Sequence, residues 1–195
     1  MSKTNSFFGR LSKRVWQSHS LSLSTKIQAY RTVVVPTVLY DVKTWVFYRK
    51  LIRLLERFHQ RCLRSILGIK WQDHVLNEEV LKTASLPSIE SILLQVQLRW
   101  AGHVTRMEDV HMPTPVFFSE LQEGKRYRGI PRKRYKDQLK RQLAQAGISH
   151  QSWQQEASDR DSWRSSVRKA SCKFEAERHE AIKKKCRRQK ERAAF

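Results

Sequence analysis

The densest concentration of chemically useful side chains lies in the stretch 124–136, where Lys125, Arg126, Arg128, Arg132, Lys133 and Arg134 alternate with Tyr127, Gly129, Pro131 and Tyr135. From Gly124 to Arg141, nine Lys or Arg residues face one acid, Asp137, a local balance of +8 over eighteen residues. Basic side chains so placed suit a phosphate backbone, and interleaved tyrosines offer faces on which an unpaired base could stack. Gly129 and Pro131 give the stretch the character of a shaped turn. Two further groups of arginines stand on helical spacing. Arg57, Arg61 and Arg64 step by four and three residues, and Arg99 and Arg106 flank His103. All eleven cations read as phosphate ligands with little base readout. Trp100 and His103 are the candidates for a special role, although a lone histidine more often packs or caps than ligates.

Other constellations carry less. Cys172, His179 and Cys186 are spaced by seven, which on a helix leaves successive members roughly 10 Å apart, too far for one metal ion. Asp159 and Asp161 face different ways on a helix and are read as partners of Arg160 and Arg164. No two aspartates are adjacent anywhere in the chain. These patterns predict no metal site, no cofactor and no catalytic residue, hence a protein that is not an enzyme.

Composition points the same way. The chain of 195 residues has 39 Lys and Arg against 18 Asp and Glu, a formal net charge of +21. Such charge favours an acidic polymer as partner, because each phosphate contact releases condensed counterions. Nucleic acid is the leading candidate and an anionic membrane surface the second. No stretch approaches the ~18 uninterrupted apolar residues of a spanning helix, so no membrane association is expected. Met1 to Arg14 has no secretory apolar run, and three cysteines without paired spacing suit a reducing compartment. The expectation is a nuclear or cytoplasmic protein that is not secreted, with Lys183-Lys184-Lys185-Cys186-Arg187-Arg188 resembling a nuclear localisation cluster.

The elements that must position these residues are helical. Leu51, Leu54, Leu55, Phe58, Cys62, Leu63, Ile66 and Leu67 form one apolar face, and Gly68 is placed to end the helix. Asn77 is read as the cap of a second helix carrying Glu78, Glu79, Val80, Leu81 and Ala84. Leu86-Pro87-Ser88 breaks it, and Ile89, Ile92, Leu93, Val96, Trp100 and Val104 mark a third helix reaching Met107. Before these, Ser24 or Thr25 caps a helix expected to end near Val35, ahead of Pro36. Trp45, Val46, Phe47 and Tyr48 form an aromatic patch read as core beneath the three helices. Beyond Pro113 and Pro115, a helix over Tyr135 to Ala146 turns Leu139 and Leu143 inward and stops at Gly147, and a further helix carries Trp153, Ala157 and Trp163. The predicted fold is mainly α: a truncated N-terminal edge over 1–20, a helical thumb-like domain over 21–107, a basic nucleic-acid-binding region over 108–168, and a basic tail over 169–195, exposed helix or disordered.

With these residues in view, a family resemblance stands out. Pro36-Thr37-Val38-Leu39-Tyr40, Thr44-Trp45, Phe58-His59-Gln60-Arg61-Cys62-Leu63-Arg64, Ile66-Leu67-Gly68-Ile69, Trp71-Gln72-Asp73, Asn77-Glu78-Glu79-Val80-Leu81 and Leu98-Arg99-Trp100-Ala101-Gly102-His103-Val104 occur in that order. Arg106-Met107, Gly124-Lys125-Arg126, Arg128-Gly129-Ile130-Pro131, Tyr135-Lys136-Asp137, Trp153, Ala157, Asp159-Arg160 and Trp163-Arg164 follow. The whole resembles the region after the palm in reverse transcriptases of non-LTR (LINE-type) retrotransposons, over roughly Leu21 to Arg168. The resemblance implies a helical thumb from Ser24 to Gly68 that holds primer and template, followed by a nucleic-acid-binding extension. Two-metal polymerisation needs paired palm carboxylates, conventionally in a Tyr-x-Asp-Asp turn, and this sequence lacks them. Asp41-Val42-Lys43 replaces the family's Gly-Ser-Glu-like turn, which marks a decayed or domesticated copy.

Three readings follow. The first is a non-catalytic retrotransposon-derived module binding RNA or an RNA–DNA hybrid through basic helix faces and the 124–136 loop. The second is a fragment of an RNA-directed DNA polymerase or endonuclease without its own active site. The third is a decayed retroelement product with no dedicated site, whose exposed apolar surface once met a partner domain or now meets a protein partner.

Overall fold

The computed structural model describes residues 6, 8–40, 46–107 and 135–193. The chain is mainly α-helical, with no strand among the described residues. The described helices are α1 (Leu23–Ala29), running through a π-helical turn (Tyr30–Val34) into α2 (Val35–Val38), then α3 (Arg49–Leu67), α4 (Asn77–Ala84), α5 (Ile89–Thr105), α6 (Tyr135–Ala146), α7 (Trp153–Ser158) and α8 (Arg160–Ala193). They form two compact units, the first drawn from 1–42 and 48–90, the second from 43–47 and 91–195.

The first unit is built on α3. Its buried face carries Leu55, Phe58, Cys62, Leu63 and Ile66, as the apolar spacing predicts, and also His59 and Gln60, which the spacing does not flag. The His59 ring is accommodated because its Nδ1 meets the Tyr30 hydroxyl at 2.8 Å, a buried polar pair linking the π-helical turn to α3. Burial, with the nearby Cys62 and Glu56 adding to it, raises the Tyr30 hydroxyl well above the usual phenol range. Burial likewise pushes the Cys62 thiol up to about 12, against the opposing pull of Arg61. Phe8 stacks on Trp16 at 5.0 Å and meets Tyr30 and Phe58 edge-on, while the Trp16 Nε1–H donates to the Phe8 carbonyl. Phe8 and Trp16 thus pack with the residues of this unit's core.

Three local expectations are corrected here. Ser22, not Ser24 or Thr25, caps α1, its Oγ accepting the Thr25 N–H at 3.1 Å. The helix does not stop near Val35. It widens into the π-helical turn, where the Val35 N–H reaches back to the Tyr30 carbonyl, and continues through Pro36 to Val38. Proline lacks the donor that a regular helix would require at that position, and a π-type register is one way for a helix to absorb the mismatch. Finally, Leu76 precedes α4 as its cap residue, with its N–H donating to Glu79 Oε2. The Asn77 side chain is diverted to accept from Arg64. Gly68 ends α3 at φ 69°, as its position in the sequence predicts.

The second unit takes most of α5 with α6, α7 and α8. Leu94, Leu98 and Ala101 pack with Leu139, Leu143, Ala146, Trp153, Ala157, Trp163, Val167 and Ala170. The Trp163 Nε1–H donates to the Leu98 carbonyl at 2.9 Å, and the indole lies so close to Gly102 that no Cβ fits there. This packing is why the compact units divide in the first turn of α5 and not after Met107: the inward face of α5 belongs to the same core as α6 and α8. Phe47 is buried in this unit, its N–H donating to Gln138 Oε1, whereas Tyr48 is exposed and Trp45 lies outside the described residues. The aromatic patch is thus divided, Phe47 buried and Tyr48 exposed. Gln97 Oε1 accepts from both Gln138 Nε2 and Gln142 Nε2, a buried amide cluster that sequence polarity would have assigned to the surface. Asp159 does not act as an ion-pair partner in the described contacts. Its carboxylate accepts the Asp161 and Ser162 N–H groups and starts α8. Residues 169–193 continue α8: Ala170 and Ser171 are buried, the Arg178–Glu175 pair is half-buried, and from Lys183 the helix is exposed, with pairs such as Lys183–Glu180.

Candidate nucleic-acid interface

In the first unit, Arg57, Arg61 and Arg64 lie on consecutive turns of α3 and line one open groove of about 510 Å³ with Glu56, Gln60, Ser65, Ile69 and Asn77. The helical spacing of four and three residues puts all three guanidiniums on one face, spread over about 10 Å of helix axis. The opposite face of α3 is the buried apolar stripe, so core packing fixes which way the arginines point. The Glu56 carboxylate, the one acid in this lining, accepts from Gln60 Nε2 at 3.2 Å and from the Ile89 N–H at 3.3 Å.

The three arginines are held differently. Arg64 Nη2 donates to the Val75 carbonyl at 2.7 Å and to Asn77 Oδ1 at 2.9 Å, tying the segment between α3 and α4 to the helix. Part of its donor capacity is therefore structural. The Arg61 guanidinium carbon stands 5.6 Å from the centroid of the Phe58 ring, a cation–π arrangement that orients a cation at low cost. Arg57 is exposed on the groove wall. A planar guanidinium offers five donors, so even Arg64 retains directions in which to meet a phosphate oxygen.

The second unit presents another basic surface. Arg99 and His103 follow one another along α5 and Arg106 stands in the turn just after it, with His103 exposed and its ring 5.3 Å from that of half-buried Trp100. Arg106 Nη1 donates to the Ala157 carbonyl at the end of α7, a structural use. Partial burial and the neighbouring Arg164 and Arg168 guanidiniums lower the Arg99 pKa from its usual value. Three like charges from two helices thus converge here, an arrangement stabilised by an anion and opposed without one. From the sequence Arg164 reads only as an ion-pair partner of the nearby aspartates, and Arg168 merges into the charge of the tail. The signal that could have found them is their phase: each follows a buried residue of α8, Trp163 or Val167, as Arg99 follows Leu98.

Lys125, Arg126, Arg128, Arg132, Lys133 and Arg134 lie outside the described residues, as does the whole 124–134 stretch. Among the described residues, no group of three His, Cys, Asp or Glu side chains could hold a metal ion, and no helix is long and apolar enough to cross a membrane.

Fold and surface together define a helical, strongly basic protein with arginines gathered on separate faces. Comparison with known proteins adds one relative. The chain is 23% identical over 151 residues to a transposon-derived protein of Caenorhabditis elegans of uncharacterised function, an alignment covering 74% of this chain and 54% of that protein. It thus spans about half the length of the curated relative it matches. No family model and no solved structure matches the chain.

Proposed function

We propose that this chain is a non-catalytic, retroelement-derived module, corresponding to the thumb and C-terminal region of a LINE-type reverse transcriptase, that binds RNA or an RNA–DNA hybrid. Its ancestry is supported by the similarity to a transposon-derived protein. The observation that carries the binding function is the set Arg57, Arg61 and Arg64 lining one groove, with their orientation fixed by the core behind them. Arg99 and Arg106, and separately the 124–136 cations, offer further phosphate ligands, in a nuclear or cytoplasmic setting.

The test is binding to labelled single-stranded RNA, RNA–DNA hybrid and duplex DNA across a salt series. Each unneutralised phosphate contact should lower the slope of log K against log salt by about 0.7 to 0.9. Changing Arg57 and Arg61 together to Ala should weaken binding and reduce the slope by roughly 1.4 to 1.8, while circular dichroism stays helical. An unchanged affinity and slope in that variant would remove the groove from the reading. The alternative, a charged relic without a dedicated site, is favoured by large apolar side chains left in solvent, such as Tyr40 at 78% exposure and Leu76 at 59%. It predicts release at modest salt and indifference to which arginines are removed.

A further inference from the structure

Trp71 is 79% exposed, the most exposed of the large apolar side chains described. It stands in a short 3₁₀ turn, Trp71–Asp73, between α3 and α4. The two stems of this loop, Ile69 and Asn77, line the arginine groove. Only Lys70 separates Trp71 from Ile69, so their Cα atoms lie within about 7 Å of each other. The loop is tightly pinned. The Ile69 N–H donates to the Arg64 carbonyl at 2.9 Å, and the Arg64 side chain holds Val75 and Asn77 at the far stem. Within the turn, Asp73 Oδ2 accepts the Lys70 N–H at 2.7 Å, and the Asp73 N–H returns to the Lys70 carbonyl. His74 reverses the chain at φ 48°. An indole held in water by a fixed turn, beside a groove of guanidiniums, combines the two features that retain a single strand: cations for the backbone and a rigid aromatic face for a base.

We propose that Trp71 stacks on an unpaired base of a single-stranded nucleic acid whose phosphates lie in the Arg57–Arg61–Arg64 groove. Charge complementarity selects this occupant, because the groove carries three arginines against Glu56 alone and the whole chain carries +21. The assignment rests on the nucleic-acid reading above and narrows it, since a base within a duplex has no free face to offer. Lys70 and His74, both exposed, flank the indole where they can meet the neighbouring phosphates.

The experiment compares full-length wild type, Trp71→Ala and Trp71→Phe on a twelve-nucleotide oligouridine, on an abasic sugar-phosphate strand of equal length, and on a duplex, with sedimentation of each protein alone. Trp71→Ala should weaken oligouridine binding about 5- to 100-fold, leave the abasic strand and the duplex unaffected, and keep the salt slope. Trp71→Phe should recover most of the affinity. Equal losses on oligouridine and the abasic strand, or no loss on either, would overturn the stacking role while leaving the groove intact. If wild type binds none of the three at near-physiological salt, the nucleic-acid reading fails and this inference with it. Concentration-dependent self-association abolished by Trp71→Ala, without an effect on oligouridine, would reassign the indole to a second copy of the chain.

Discussion

At the scale of single residues, the buried titratable pair of the first unit makes a prediction that needs no ligand. Cys62 and Tyr30 both have folded-state pKa values raised by burial, the thiol to about 12. A raised acid stays protonated in the fold after its unfolded counterpart has lost the proton. Its contribution is therefore complete below the unfolded pKa and is lost as pH rises. Stability should fall from about pH 9 upward, first through Cys62 and then also through Tyr30, by up to about 1.4 kcal/mol per pH unit for each group. Urea unfolding midpoints between pH 8 and 11 check this, and a flat profile would show that neither group is sequestered. The same burial separates the thiols. Cys172 and Cys186 are exposed, so a maleimide should label two of three cysteines in the native protein and the third only after unfolding.

At the scale of helices, the contact between α5 and α8 depends on a missing side chain. Alanine is the better helix former at Gly102, by about 1 kcal/mol. Any Cβ there meets the Trp163 indole, which is 2% exposed and fixed by its hydrogen bond to the Leu98 carbonyl. The clash cannot be relieved by a rotamer change, and overpacking of this kind costs about 1 to 3 kcal/mol. Gly102→Ala should therefore lower the melting temperature by several degrees despite the gain in propensity. A melting temperature equal to or above wild type would refute the close approach. The effect belongs to the helix pair. Gly102 sits beside Arg99 and His103, so loosening this contact should also disturb the basic surface that α5 shares with Arg164 and Arg168.

At the scale of the whole molecule, charge and core are separable in sequence. The core residues of the second unit end at Ala170, with Phe174 packed at their edge, while α8 runs on to Ala193. Residues 183–195 carry seven Lys or Arg and one acid, Glu191. Their helix is supported by exposed pairs such as Arg187–Glu191, each worth only about 0.3 to 0.5 kcal/mol. Removing 183–195 should leave the unfolding transition nearly unchanged while weakening nucleic-acid binding and flattening its salt dependence. A large loss of stability would mean that this part of α8 packs onto something in the intact protein.

Local periodicity was sufficient for much of this protein. The 3.6-residue recurrence of Leu55, Phe58, Cys62 and Ile66 settled α3 and, by exclusion, the outward face of Arg57, Arg61 and Arg64. Gly68 and Gly147 marked two helix ends because glycine accepts the positive φ required there. The mainly α class and the inward Leu139 and Leu143 were legible for the same reason: a single helix must bury one stripe and wet the other. Tertiary structure alone decided what depends on partners far away in sequence. His59 and the glutamines Gln97, Gln138 and Gln142 are buried because hydrogen-bond partners converge on them, and no local pattern announces convergence. Asn77 accepts from Arg64 instead of capping α4, because the fold starts the helix at Asn77 itself and leaves Leu76 in the cap position. Trp71 enters the sequence reading only through the Trp71-Gln72-Asp73 segment of the family resemblance. Only the pinned turn between α3 and α4 leaves it in solvent, because the segment is too short and too tightly tied at both stems to fold the indole back onto the core.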